Sequence, residues 1–218
     1  MERRQVVASL DSLCREMSLL EHPFYQDWTA GSLARTRLRN YAVQYYRQVE
    51  AFPRYLSAIH SRCEDLAIRQ ALLENLIDEE RGNENHPELW LRFAEALGLA
   101  RQEVLAAEPE PAVISLVDTF TALSREAPLE SALAALYVYE AQVRDVADAK
   151  IDGLRRFYGI TDESGLKFFT VHREADSYHT QALASMIQRY CNSAEDDCAM
   201  LEASRAALQA VWRFLDAV

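Results

Sequence analysis

The sequence of 218 residues contains few of the residues that interrupt helices. Glycine and proline number only six each, which predicts long helices joined by short connections. The four cysteines include no C-x-x-C pair, and a chain long enough for a full hydrophobic core needs no disulfide framework. We therefore interpret the cysteines as reduced thiols of a cytoplasmic protein. The apolar stretches are too short to span a bilayer.

Positive charge is also scarce. The sequence has 23 basic and 34 acidic residues, for a net charge of −11. This balance disfavours nucleic acid and anionic membranes as partners, because both bind positive surfaces. The N-terminal segment MERRQVVASLDSLCREM lacks the apolar stretch and cleavage site of a signal peptide. With 50% hydrophobic and 26% charged residues, the chain is expected to form a single soluble domain over residues 1–218.

Helical periodicity runs through almost the whole sequence, and no strand-like alternation competes with it. We expect EHPFYQDWTAG to be a linker because Pro23 and Gly31 interrupt it. Ser32 is expected to cap the next helix, and Pro53 to kink or end it. The predicted helices cover about 3–20, 32–53, 66–77, 87–97, 112–124, 128–157, 165–191 and a last segment ending near 216. The pattern indicates one compact all-α bundle of seven to eight helices.

Histidines and acidic residues share three segments of this sequence. The first segment, VHREADSYH, places His172, Asp176 and His179 at spacings of four and three. On an α-helix these side chains fall within about 40° of one another and form one stripe. The spacing alone is a weak indication of a metal, because His172 could equally pair with Asp176 on a solvated face.

The second segment is LIDEERGNENHPELW. Glu79 and His86 are seven residues apart, which is about 20° on a continuous helix, although a glycine between them interrupts that helix. Leu73 and Leu76 mark the predicted apolar face, and both Glu79 and Glu80 lie near its border. Periodicity therefore leaves open which of the two glutamates points inward.

The third segment is ALAALYVYEAQVRDVADAK. Glu140 follows an uncharged run that extends from Ser131 to Tyr139, which makes it a candidate buried carboxylate. A buried carboxylate is costly unless it is paired or coordinates a metal. The alternative is that Glu140 forms an ordinary ion pair with Arg144 one helical turn later.

The three segments together offer three carboxylates and three imidazoles. This mixed oxygen and nitrogen set suits a pair of iron or manganese ions better than a single zinc. Helical di-iron carboxylate proteins build such sites from facing helices, often with a Glu-x-x-His pair. Asp176 and His179 keep that spacing with a shorter acid, but the Glu79 and His86 segment does not follow the ferritin pattern.

These motifs resemble a known family. From EHPFYQDWTAG through NLIDEERGNENHPELW and YVYEAQ to VHREADSYH, the chain resembles the heme-oxygenase-like di-metal oxidases. Among them it is most similar to the chlamydial proteins associating with death domains (CADD) and their bacterial relatives, which share their fold with PqqC and TenA proteins. Four separated motifs occur in the same order and cover most of the domain. The resemblance implies six metal ligands, namely Glu79, His86, Glu140, His172, Asp176 and His179.

The resemblance also implies an activity. The relatives supply 4-aminobenzoate for folate biosynthesis, in a self-sacrificing single turnover in which a tyrosine of the protein provides the ring and a lysine the nitrogen. The matching positions here are Tyr25 and Lys150, with Tyr41 and Tyr139 near the site. The implied cofactors are two metal ions, Fe/Fe or Fe/Mn, together with O₂ and an external reductant. A homodimer is left open.

The position of Lys150 and the reaction itself both have alternatives. Lys150 lies ten residues after Glu140, or about 15 Å along a straight helix, and could be an ordinary surface lysine. The protein could instead be a heme-oxygenase-like di-iron oxidase of an external small molecule, or a thiaminase- or PqqC-like enzyme. A death-domain-type interaction protein is a further alternative, although the sequence identifies no surface for that role.

Overall fold

The computed structural model describes the backbone of residues 3–190 and 193–218, and the side chains of the same residues except 3–4, 174–178 and 194. Within these ranges the chain is helical and contains no strand, which confirms the predicted all-α class. The helices are α1 (Arg3–Glu16), α2 (Pro23–Ala30), α3 (Arg35–Arg62), α4 (Leu66–Glu80), α5 (His86–Ala96), α6 (Arg101–Ala106), α7 (Pro111–Glu126), α8 (Leu129–Glu140), α9 (Val143–Gly153), α10 (Glu163–Tyr190) and α11 (Ala194–Ala217).

These eleven α-helices exceed the expected seven to eight because one predicted segment is divided and because α2 and α6 form outside the predicted helices. The segment predicted as one helix over 128–157 ends at Glu140, resumes at Val143 and finishes in a π-helical turn at Leu154–Tyr158. At the interruption, the buried side chain of Gln142 accepts a hydrogen bond from the backbone N–H of Leu19 at 2.7 Å. A tertiary contact of this kind has no periodic signature in the sequence.

The predicted linker EHPFYQDWTAG instead forms α2. Pro23 occupies the first turn, where its missing N–H leaves no intrahelical hydrogen bond unmade. The side chain of His22 caps the helix by accepting from the backbone N–H of Phe24 at 3.0 Å. Gly31 ends the helix in the left-handed conformation, with φ of 74°. The residues that suggested a linker are therefore the start and stop residues of a short helix.

Helix α3 begins later than predicted and does not end at Pro53. Ser32 does not cap it, because the Ser32 hydroxyl donates to Asp27 at 2.9 Å and the helix begins two residues after Leu33. The helix also continues through the buried Pro53 to Arg62. Helix α3 contacts α5 before this position, where Trp90 donates to the Ala42 carbonyl, and α7 after it, where Phe120 stacks on Tyr55. These contacts hold the two halves together despite the missing hydrogen bond.

Helix α8 is buried on nearly all sides, as expected for a helix without a polar face. Residues 131–138 and Glu140 are buried, and the helix packs against α7, α10 and α11. Helix α10 in turn packs against α5 and α9. This arrangement carries Glu140 into the interior, where it faces side chains from α4, α5 and α10. No helix within the described ranges combines the length and apolar character needed to cross a bilayer.

Candidate metal centre

A cavity of about 60 Å³ lies where α3, α4, α5, α8, α9 and α10 converge. Its wall combines apolar and aromatic side chains with potential metal ligands. The lining residues are Tyr45, Val49, Phe52, Glu79, His86, Tyr139, Glu140, Val143, Lys150, Phe168, His172 and His179. The volume accommodates a few water-sized groups.

Three of the predicted ligands come together at this cavity. One potential ligand atom each from Glu79, His86 and His172 lies within 4.8 Å of the others. The side chain of Glu79 is buried, with 6% exposure, whereas its neighbours Asp78 and Glu80 are exposed. The structure therefore turns Glu79 inward, which periodicity alone left open.

His86 reaches the cavity because α5 begins at this residue. The side chain of Asn85 caps the helix by accepting a backbone N–H in the first turn, and Pro87 occupies that same turn. His86 Nδ1 lies 2.5 Å from Glu79 Oε2, and the His86 ring is 4.3 Å from the His172 ring, between centroids. The loop between α4 and α5 thus brings together two potential ligands, whose proximity the sequence could not establish.

His172 has its ring orientation fixed by the backbone. Its Nδ1 lies 2.6 Å from the carbonyl oxygen of Phe168; because a carbonyl only accepts, Nδ1 carries the proton and Nε2 is left with the lone pair. Burial, together with the neighbouring His86, lowers the pKa of His172 well below its usual value. The neutral imidazole that results is the form that binds a metal.

Glu140 and His179 line the same cavity and are oriented by residues of α4. Glu140, with 4% exposure, accepts a hydrogen bond from Asn75 Nδ2 at 3.0 Å. His179 Nε2 lies 3.1 Å from a carboxylate oxygen of Asp78. The predicted ligand Asp176 belongs to α10, and its side chain lies outside the described residues.

The residues around the cavity fit a bound transition metal. The described part of the chain contributes two carboxylates and three imidazoles, a donor set that iron and manganese accept. Two buried carboxylates beside one cavity are costly without a compensating cation. Which of these side chains bind the metal stays a prediction.

Lys150 also lines the cavity and is not a surface lysine. It is 6% exposed, and its Nζ donates a hydrogen bond to the Tyr41 hydroxyl at 2.8 Å. Burial lowers the pKa of Lys150 to about 7. The separation expected along a straight helix does not apply, because the chain is interrupted between α8 and α9, and Lys150 and Glu140 line the same space.

Tyr25 and Tyr41 pack around the Lys150 amine. The Nζ atom lies 5.5 Å from the centroid of the Tyr25 ring and 5.2 Å from that of Tyr41. The Tyr41 hydroxyl accepts the hydrogen bond from Lys150, and the Tyr25 ring contacts the rings of Phe24 and Trp28. Burial raises the pKa of both tyrosines above the usual value, so both phenols are protonated at neutral pH.

Tyr139 has a partner that sequence reasoning missed. The hydroxyls of Tyr139 and Tyr45 are 2.6 Å apart, and both residues line the cavity. The Tyr45 ring stacks on Tyr41, with centroids 5.2 Å apart. Tyr45 therefore connects the cavity to the cluster around Lys150. The available signal was its position four residues after Tyr41, which places the two rings on one helix face.

Comparison with known proteins places this chain in a family. Residues 39–212 match the model of a family described as an iron-containing redox enzyme. The chain belongs to this family. It is accordingly an enzyme of the oxidoreductase class, and the cavity at the centre of its helices is the place where potential iron ligands converge.

Individual relatives agree with this assignment. The chain is 43% identical to a 4-aminobenzoate synthase of Nitrosomonas europaea, over 96% of this chain and 89% of the relative. It is also 43% identical to a 4-aminobenzoate synthase of Chlamydia muridarum, over 95% and 87% respectively. These similarities confirm the predicted family.

A solved structure confirms the fold. A domain of unknown function with a heme oxygenase-like fold from Shewanella denitrificans superposes with a TM-score of 0.77 at 19% identity. The match covers 98% of this chain and 88% of the other. The family shown by sequence and the architecture shown by structure therefore agree.

Proposed function

We propose that the protein forms 4-aminobenzoate from its own side chains, with Tyr25 providing the ring and Lys150 the amino nitrogen. The observation that carries this proposal is the buried Lys150 amine, which donates a hydrogen bond to Tyr41 and lies 5.5 Å from the centroid of the Tyr25 ring. The names of the relatives from Nitrosomonas and Chlamydia support the product. Because the side chains are consumed, each chain reacts once.

The metal centre would supply the oxidising power. With O₂ and an external reductant, an iron-containing centre, Fe/Fe or Fe/Mn, would supply the oxidant for an aromatic side chain. The residues proposed to hold the two metals are Glu79, His86, Glu140, His172, Asp176 and His179.

The product defines which carbon of the tyrosine must receive the nitrogen. In 4-aminobenzoate the nitrogen is bonded to the ring carbon opposite the carboxyl-bearing carbon, which in tyrosine is the carbon that bears the hydroxyl. Lys150 Nζ donates to the Tyr41 hydroxyl at 2.8 Å and lies 5.5 Å from the centroid of the Tyr25 ring. The amine is therefore held beside the ring that would receive it in the proposed reaction.

The surroundings also prepare the amine to react. An ammonium has no lone pair, whereas a lysine whose pKa is about 7 is neutral in about half of the molecules at pH 7. The rings of Tyr25, Tyr41 and Tyr45 exclude water from this amine. Lys150 is thus a nitrogen donor available at neutral pH.

The size of the cavity favours an internal substrate over an external one. Pockets for drug-sized ligands typically enclose roughly 300–1,000 Å³, whereas this cavity measures about 60 Å³. The space suits O₂ and water better than a free aromatic amino acid. An external-substrate oxidase would require a substantially larger opening.

The partners that we propose are O₂ and a reductant in the cytoplasm. The net charge of −11 gives no basis for nucleic acid as a partner. The alternative of an interaction protein predicts a function that survives loss of the metal ligands, whereas the proposed reaction requires them.

Isotopic labelling tests the origin of the product. Protein made with ring-¹³C tyrosine and ε-¹⁵N lysine is loaded anaerobically with Fe(II), or with Fe(II) and Mn(II). It is then given reductant and O₂ in the presence of unlabelled tyrosine and lysine. We expect doubly labelled 4-aminobenzoate, at most one molecule per chain, with a matching loss of mass from the intact protein.

Single substitutions then locate the donors. Lys150→Arg should remove the product because guanidinium is a poor nitrogen donor, and Tyr25→Phe should remove it because the proposed source of the ring is then a phenylalanine. Both variants should retain metal, because neither residue is a proposed ligand. Lys167→Arg is a matched control, since the sequence contains only these two lysines. Tyr137→Phe is a second control, because its hydroxyl bonds Asp11 instead. Unlabelled product, or undiminished product from both site variants, would instead identify an oxidase of an external substrate.

A further inference from the structure

Asn75 is a buried polar residue that the proposed reaction does not use. It lies on α4 one turn before Glu79, and the buried residues of α4 are Ile68, Leu72, Asn75 and Glu79. These positions follow helical periodicity and form one inward stripe. Asn75 is only 4% exposed, and a buried amide is costly unless it makes hydrogen bonds.

The hydrogen bond of Asn75 is directed at a proposed metal ligand. Its Nδ2 donates to Glu140 Oε1 at 3.0 Å. Its Oδ1 is buried and has no hydrogen-bond partner among the described residues. The opposite orientation of the amide would set two acceptor oxygens against each other. Glu140 therefore fixes the orientation of the amide, and the amide in turn holds the carboxylate.

This contact matters because of where Glu140 lies. Glu140 is the last residue of α8, and the C-terminal end of a helix carries partial negative charge that disfavours a carboxylate. A donor from another helix offsets this effect. Asn75 is neutral, so it orients the carboxylate without cancelling the negative charge that a cation would bind. An arginine or lysine in its place would compete with the metal.

We propose that Asn75 is a positioning residue that orients Glu140 for metal binding. Residues that hydrogen-bond to metal ligands typically change metal affinity by about 10–100-fold when they are replaced. The inference rests on the metal centre of the proposed function and is independent of what the enzyme makes.

Metal titration tests this role without measuring activity. Wild-type protein and Asn75→Leu are titrated with Mn²⁺ under argon, and the free ion is followed by its EPR signal. We expect Mn²⁺ to bind Asn75→Leu with a Kd about 10–100-fold higher than the wild-type value. Asn75→Ala is titrated in parallel and should show the same loss of affinity. If one variant fails to fold, the other still tests the role of Asn75. Circular dichroism verifies that each variant is folded.

Two controls separate positioning from general destabilisation. Gln48→Leu removes another fully buried amide, which bonds Tyr55 rather than a proposed ligand, and should leave the Mn²⁺ affinity unchanged. In a Glu140→Ala background, Asn75→Leu should change the remaining affinity by less than about twofold, because its target is absent.

The outcomes distinguish the inference from the metal centre and from the reaction. Wild-type affinity in both Asn75 variants, an equal loss in Gln48→Leu, or an undiminished effect in the Glu140→Ala background would overturn the role of Asn75. Absence of Mn²⁺ binding by the wild-type protein would overturn the centre and the inference together. Normal Mn²⁺ binding without labelled 4-aminobenzoate would overturn the proposed reaction alone.

Discussion

At the scale of single residues, Lys150 is placed where a positive charge is costly. Its Nζ lies between 5.2 and 5.8 Å from the centroids of four rings, which belong to Tyr25, Tyr41, Tyr45 and Phe169. Attraction between the cation and these rings opposes only part of the loss of hydration. The desolvation that makes the amine reactive must therefore also lower the stability of the fold.

The burial of the Lys150 amine predicts that the stability of the metal-free protein depends on pH. The pKa of Lys150 is about 7 in the folded state and near the ordinary 10.5 in the unfolded chain. Between these values the unfolded chain binds more protons, so the free energy of unfolding rises with pH, by about 1.4 kcal/mol per pH unit from this group. Lys150→Met should therefore be more stable than wild type at pH 7.

Urea unfolding of both proteins across this pH range provides the measurement. The advantage of Lys150→Met should shrink steadily as the pH approaches 10.5, where the unfolded chain also loses the proton. Lys167→Met, at the other lysine, is the control and should show no such trend. A stability difference that is independent of pH would contradict the burial of a neutral amine.

The hydrogen bond between Tyr45 and Tyr139 makes a second prediction at this scale. Tyr45→Phe leaves the half-buried Tyr139 hydroxyl without this partner, which should cost about 1 kcal/mol of unfolding free energy. Replacing both tyrosines by phenylalanine should recover most of that loss, because neither polar group then remains. Urea unfolding of the two single variants and the double variant gives the coupling energy; strictly additive losses would contradict the bond.

Prediction from the sequence was weakest at single positions of α4. Leu73 was expected on the apolar face, yet it is 44% exposed, while Asn75 and Glu79 point inward. Hydrophobic periodicity assigns inward positions to apolar residues, so it fails where a polar cavity occupies the interior. The His172 and His179 stripe was recognisable because its spacing is regular within one uninterrupted helix.

At the scale of elements, the contact between α2 and α9 holds the two proposed donors together. Gly153 at the end of α9 lies against Trp28 of α2, and an added Cβ would come within 2.5 Å of Trp28 Cδ1 and 3.2 Å of its backbone oxygen. The Trp28 indole N–H also points at the backbone oxygen of Lys150, 3.4 Å away. Helix α2 carries Tyr25, so this contact sets the distance between ring and amine.

Gly153→Ala should therefore affect both stability and reaction. Crowding against a backbone atom typically costs about 1–3 kcal/mol, and displacement of α9 should reduce the yield of 4-aminobenzoate. Asp152→Ala, at an exposed position of the same helix, should change neither by a comparable amount. Thermal unfolding and single-turnover product yield measure the two effects. A stable Gly153→Ala variant with full yield would show that α2 and α9 are not tightly docked.

Element prediction succeeded where boundaries depend on local chemistry. Pro87 lies in the first turn of α5 and Gly98 follows α5 with positive φ, both as expected. It failed where tertiary contacts decide, as at Gln142, which divides α8 from α9. Those contacts join residues far apart in sequence.

At the scale of the whole molecule, the helices should persist without metal. They bury a continuous core that does not depend on the centre, and a chain of this length supports a full core by itself. Circular dichroism of chelated protein should retain most of the helical signal. Loss of most helix on chelation would show that the metal organises the fold.

Metal should nevertheless raise the stability of the folded state. A ligand present at 100 times its Kd adds about 2.7 kcal/mol to the free energy of unfolding. Thermal scans should therefore show a transition temperature that rises with Mn²⁺ concentration. A His172→Ala, His179→Ala double variant should lose most of this rise and most of its bound metal. Unchanged metal content in that variant would contradict the proposed site.

The fold class was predictable at this scale, but the convergence of six helices was not. Scarcity of glycine and proline and continuous helical periodicity are properties of the sequence alone. The order in which the helices pack cannot be read from the sequence alone. The residue spacing therefore suggested, without establishing, that the three segments meet. The resemblance to a family provided what the periodicity could not.

The packing around Tyr25 gives the proposed reaction a consequence for the lifetime of the protein. Tyr25 is fully enclosed and contacts the rings of Phe24 and Trp28; truncating a buried aromatic residue typically costs about 3–5 kcal/mol. A chain that has released its ring therefore has a hole in its core, and limited proteolysis should cleave reacted protein, or Tyr25→Ala, much faster than unreacted protein. In the proposed reaction, production of 4-aminobenzoate would be limited by the rate of translation, and each spent chain would be recognisable to cellular proteases through its own packing defect.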